Sequence, residues 1–189
     1  MMLGRGLFVI ATALTVVAPA RAAITVLGNG LAADCFQAAE FGGEPKAGIA
    51  TCADALENEP LSVHDRAATY INRGILRGRA EDTAGALADC NAGLELDATM
   101  GDGYIDRGTV YIVLQKYENA LKDIDKGISV GVHRPQIAYY DRAIVNEALG
   151  NVRAAYLDYK KAVELEPDFK LASEQLSRFK VVRKDSAGP

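Results

Sequence analysis

Metalloprotease, nucleotide-binding and dinucleotide signatures are missing from these 189 residues. HExxH, a Walker loop and a GxGxxG fingerprint are all absent. Histidine is scarce: His64 and His133 both stand at expected helix starts, without metal-ligand spacing around them. There is no CxxC, and the three cysteines lie far in sequence from either histidine. No metal, redox centre or cofactor is therefore expected. The paired carboxylates (Glu81 with Asp82, Glu57 with Glu59) fall at expected turns and read as solvated ends. A basic excess is also missing. The net charge is −4, which argues against nonspecific nucleic-acid binding, since that needs a basic surface to displace counterions. Long apolar runs are missing too. The one candidate, Leu7–Ala18, spans about a dozen residues against the ~20 that cross a bilayer.

That short run has its own reading. Arg5 precedes it, and Ala20-Arg21-Ala22 follows with small-x-small character, as at the end of a secretory signal. Residues 1–22 are therefore read as a signal peptide, with cleavage after Ala22 and a periplasmic or secreted product. Cleavage would remove Arg5 and Arg21 and no acid, moving the net charge from −4 to −6. It would also leave no integral membrane span. Export makes disulfides admissible. Cys35 and Cys52 flank the Phe41-Gly42-Gly43-Glu44-Pro45 turn, one on each arm of a helical hairpin, and are expected to pair. Cys90 then remains as a packed thiol in a core slot.

The rest of the chain repeats itself. Tyr70-Ile71-Asn72-Arg73-Gly74 returns as Tyr104-Ile105-Asp106-Arg107-Gly108 and as Tyr139-Tyr140-Asp141-Arg142-Ala143. Ala86, Ala120 and Ala155 open the second half of each copy, followed by a large residue (Cys90, Ile124, Tyr159) and a small one (Gly93, Gly127, Ala162). Arg73, Arg107 and Arg142 are spaced by 34 and 35 residues, a period that belongs to stacked helical hairpins. Each arginine has an aspartate sixteen residues on, Asp89, Asp123 or Asp158. These pairs read as register-setting contacts between helices, each contributing about 0–1 kcal/mol if partly exposed.

The skeleton resembles the tetratricopeptide repeat (TPR) over residues 67–169. The resemblance implies an all-α solenoid of three hairpins, about 67–100, 101–134 and 136–169, within a unit spanning 61–183. Residues 23–60 form an extended tail and an atypical first hairpin. A capping helix is expected at Asp168–Lys180, with a flexible end at 184–189. Departures are local: Arg77 and Asn146 stand where Tyr111 sits, and only Pro167 supplies the closing proline.

The resemblance further implies a concave groove lined by the first helix of each hairpin. Here that means Ile71, Asn72 and Ile75, then Asp102, Ile105, Asp106, Thr109 and Ile112, then Tyr140, Asp141, Ile144 and Glu147. Some TPR proteins clamp a partner's C-terminal carboxylate with lysine, arginine and asparagine on these faces. This chain keeps only Asn72 of that pattern and carries Asp106 and Asp141 further on, so the charge is reversed. The expected function is a non-enzymatic interaction module. Its partner would be a peptide or protein segment with basic residues among apolar anchors. Self-association through the solenoid ends, and an enzyme with an unrecognised site, stay open as alternatives.

Overall fold

The computed structural model describes residues 7–11, 23–26 and 30–183, with residues 7–11 and 181–183 described by backbone alone. The described residues hold a short strand β1 (Leu7–Ala11) and then α1 (Leu31–Phe41), α2 (Pro45–Asn58), α3 (Val63–Arg79) and α4 (Thr83–Leu96). After these come α5 (Gly101–Val113), α6 (Tyr117–Val130), α7 (Pro135–Ala148), α8 (Val152–Leu165), α9 (Lys170–Leu176) and β2 (Phe179–Arg183). Helices pair as α1–α2, α3–α4, α5–α6 and α7–α8, and each hairpin packs on the next. The hairpins fall within four residues of the bounds the repeat implies, because caps and turns are written locally. Ser62 accepts the Asp65 N–H at 3.0 Å and its hydroxyl donates to the Asp65 carboxylate at 2.7 Å. Asp82 caps α4 by accepting from the Gly85 N–H at 2.9 Å.

The three hairpin turns share one solution. Glu81 (φ 62°), Gln115 (φ 56°) and Gly150 (φ 78°) occupy equivalent positions in the left-handed region. Each turn closes with paired backbone bonds. In the first, the Glu81 N–H donates to Gly78 C=O at 3.2 Å and the Asp82 N–H to Arg77 C=O at 2.9 Å. The second of these recurs as Lys116 N–H to Tyr111 C=O and Asn151 N–H to Asn146 C=O. This satisfies carbonyls that the helix end would otherwise leave open.

Small residues set how closely the helices approach. A Cβ on Gly93 would stand 2.8 Å from the Ala67 carbonyl oxygen and 2.7 Å from Ile71 Cγ1. Side chains too large to fit here would push α3 and α4 apart. The core continues through Tyr140, Tyr159 and Phe169, where Tyr140 meets Phe169 edge-on at 5.3 Å between ring centroids.

The C-terminal end departs from expectation. The capping helix is only Lys170–Leu176, and the chain turns from Phe179 into β2, antiparallel to β1 with Leu7 opposite Arg183 and Ala11 opposite Phe179. Phe179 is what ends the helix in physical terms. Its ring stacks on Tyr156 and Tyr159 at 5.9 and 5.8 Å, and the β-branched Val181 and Val182 that follow favour strand. So residues 181–183 pair with β1, while the expected flexible end at 184–189 lies outside the described residues. Most of the expected signal peptide also lies outside them; its residues 7–11 are β1.

Candidate interaction groove

Each first helix is oriented by its arginine. Arg73 grips Asp89 through Nε (2.9 Å) and Nη2 (2.7 Å), Arg107 grips Asp123 (2.7 and 2.8 Å), and Arg142 grips Asp158 (3.0 and 2.7 Å). The guanidinium also lies over the tyrosine three residues earlier, 5.1–5.5 Å from the ring centroid. The carboxylate bond holds each of the three arginines more firmly protonated than usual, against an opposing cost of burial. Two of the arginines do more. Arg107 donates from Nη1 to Asn91 of α4 at 2.9 Å, and Arg142 from Nη1 to Asp125 of α6 at 2.8 Å. Each therefore ties its own hairpin to the preceding one. The departures from the repeat serve the same cluster: Arg77 approaches Asp89 at 3.2 Å, and Asn146 donates to Asp158 at 3.0 Å.

With that face of α3 turned to α4, the helical period sends Ala68 and Asn72 to the opposite, concave side. Asp106 and Asp141 are the equivalents of Asn72 on α5 and α7, one repeat apart. Asn72, Asp106 and Asp141 thus form a column of equivalent places on successive first helices. All three are buried in the full chain, as are Asp102 and Thr109.

Several of the expected groove residues already have partners within the chain. Asp102 accepts the His133 backbone N–H at 3.1 Å and meets His133 Nδ1 at 2.5 Å. Thr109 donates to Asp141 at 3.2 Å, joining α5 to α7. Glu147 accepts from Arg178 at 2.6 Å and from the Tyr159 hydroxyl at 3.3 Å. Tyr140 is wholly buried among Tyr159 and Phe169, and that burial pushes its phenol pKa up. Ile71 and Ile105 turn into the hairpins against Gly93 and Gly127, and Ile112 and Ile144 join core clusters. Ile75 lines a slit with Gly74, Cys90, Asp106 and Val110, too narrow to admit water. These isoleucines and Tyr140 belong to packing, because a helix of this kind buries three of its faces.

One contact was missing from the residue pattern. The segment Ala23-Ile24-Thr25-Val26 lies on the concave face of α3. The Ile24 N–H donates to Asn72 Oδ1 at 2.8 Å, and Asn72 Nδ2 donates to the Ile24 carbonyl at 2.7 Å. Ile24 and Val26 are buried in a cluster with Ala32, Ala68, Leu94 and Met100, while Thr25 is exposed. The Ala23 N–H donates to Glu40 Oε2 at 3.2 Å, and Glu40 also pairs with Arg134, 94 positions away at the start of α7. The alternation of Ile24, Thr25 and Val26 was the available signal for this strand-like segment. Its landing place 48 residues on was not.

Among the described residues no cluster of histidine, cysteine or carboxylate could hold a metal ion, and no helix is long and apolar enough to cross a membrane. Cys35 and Cys52 are joined, with Cα atoms 4.9 Å apart, and Cys90 is a buried thiol.

A family model described as tetratricopeptide repeat matches residues 137–169. The fold is that of a TPR solenoid. Among solved structures, MamA superposes with a TM-score of 0.62 over 79% of this chain and 82% of its own, at 17% identity. The second TPR domain of human RPAP3, in complex with the HSP70 peptide SGPTIEEVD, gives 0.57 over 61% of this chain and 96% of its own, at 26% identity. DnaJ homolog subfamily C member 7 of Homo sapiens is 30% identical over 73 residues, or 39% of this chain. The chain spans only 15% of the length of the curated relatives it matches.

Proposed function

We propose that this chain is an exported, non-enzymatic TPR interaction module that holds an extended peptide or protein segment along its concave groove. The observation that carries the reading is Asn72, whose carboxamide pairs with both the N–H and the C=O of one residue of an extended segment. Main-chain pairing of this kind, with pockets for alternate side chains, is how a rigid surface recognises an extended chain. The solved RPAP3 domain, which holds a peptide, supports the same use of the scaffold. Further along, Asp106 and Asp141 are buried, so they would act on a partner through their negative charge rather than by direct contact, favouring lysine or arginine among apolar anchors over acidic residues. Export rests on the basic start, the short apolar run and Ala20-Arg21-Ala22.

Two measurements test this. N-terminal sequencing of the exported protein should begin at Ala23; an intact N-terminus retained inside the cell defeats export. A partner with basic residues, recovered from periplasmic extract, should bind less tightly at higher salt, because attraction at a distance is screened beyond about 8 Å at physiological ionic strength. Asp106→Asn should weaken it too. Binding indifferent to both salt and Asp106→Asn would remove the acidic column from the reading.

A further inference from the structure

The groove carries a ligand of its own, and the ligand's first atom is placed as an N-terminal amine would be. Ala23 follows the proposed cleavage point directly, and its nitrogen sits 3.2 Å from Glu40 Oε2. The Glu40 side chain is only 14% exposed and is already shared with Arg134. We propose that residues 23–26 are the resident ligand of the groove, and that the α-ammonium released on Ala23 by processing is captured by Glu40.

The chemistry is that of an amine-terminated extended segment. In the uncut chain Ala23 offers Glu40 a neutral amide. After cleavage the same nitrogen carries a positive charge, and a charge-assisted bond is roughly twice as strong as a neutral one. The next residue is fixed through its backbone by Asn72, and the second and fourth side chains, Ile24 and Val26, enter the apolar cluster. Thr25 between them faces out. The site therefore selects a free amino terminus followed by apolar side chains at alternate positions. A partner using the α3 end of the groove has to displace this segment first.

The ammonium half of the proposal rests on the export reading, and the docking half does not. Hydrogen exchange of the Ile24 amide reads both. In the uncut chain, Ile24 should exchange at least ten-fold more slowly than in an unstructured peptide, and Asn72→Ala should accelerate it by about ten-fold. An Ile24 amide exchanging at the unstructured rate, or indifferent to Asn72→Ala, overturns the docking. In the chain starting at Ala23, chemical acetylation of the α-amine should speed Ile24 exchange several-fold, and Glu40→Gln should abolish that difference. Exchange unaltered by acetylation overturns the amine capture. Should the exported protein begin at another residue, the export reading fails by itself, and the Asn72 comparison on the uncut chain still decides the docking.

Discussion

At the scale of single residues, the arginine of each repeat is worth more than its place in the sequence suggests. A partly exposed pair would contribute about 0–1 kcal/mol. Yet the Arg73 and Asp89 side chains are only 15% and 4% exposed, and each fork is bidentate. Arg107→Ala would strand the buried Asp123 and release Asn91, so a loss of about 2 kcal/mol is expected in chemical denaturation. Arg107→Lys should recover only part of it, since a lysine cannot reproduce the fork. The turns give a second expectation. Gln115 sits at φ 56°, where Gly150 fills the equivalent place. Gln115→Gly should be neutral or slightly stabilising, and Gly150→Ala should cost about 1 kcal/mol, both read as shifts in the thermal midpoint. The sixteen-residue interval from arginine to aspartate was visible in the sequence because both lie within one hairpin. The engagements of Asp102 with His133 and of Glu147 with Arg178 were not. The first lies at the edge of its repeat, where the inserted residue before Pro135 breaks the period, and the second crosses from the last repeat to the segment after the shortened α9.

At the scale of elements, the first hairpin is fixed by a covalent link and the others by packing. Replacing Cys35 and Cys52 with serine should lower stability by about 3 kcal/mol in the chain-entropy view, and non-reducing peptide mapping should recover the Cys35–Cys52 pair. The loop between α4 and α5 adds a pH dependence. Asp97 accepts from the Thr99 hydroxyl and backbone and meets His64 Nδ1 at 2.9 Å, and these bonds, the Thr99 hydroxyl first, hold its pKa below the ordinary 3.8. A lowered carboxylate pKa stabilises the fold fully above the unfolded value and ceases to do so as pH falls through the folded one. The thermal midpoint of the native chain should therefore fall more steeply below about pH 4 than that of Asp97→Asn. Helix bounds were legible because caps, turns and prolines act within a few residues. The turn into β2 was hidden, since it depends on Phe179 finding Tyr156 and Tyr159 on another helix.

For the whole molecule, the inter-hairpin bonds of Arg107 and Arg142 decide how the solenoid comes apart. A stack of repeats behaves as a one-dimensional chain, in which each unit's fate depends on its own stability and on the coupling to its neighbours. Arg107 couples the second hairpin to the third through Asn91, and Arg142 couples the third to the fourth through Asp125. Arg73 makes no such bond to α2 among the described residues; Arg66 donates instead to the Leu56 carbonyl at 2.7 Å and Arg79 to the Ala38 carbonyl at 3.2 Å. The disulfide strengthens the first unit without strengthening its junction to the second. The four hairpins should thus melt together, the first held to the second mainly by apolar packing and the later ones by arginine bonds as well. A hinge at the α2–α3 seam would carry Glu40 away from Arg134 and open the mouth of the groove where Ile24 lies.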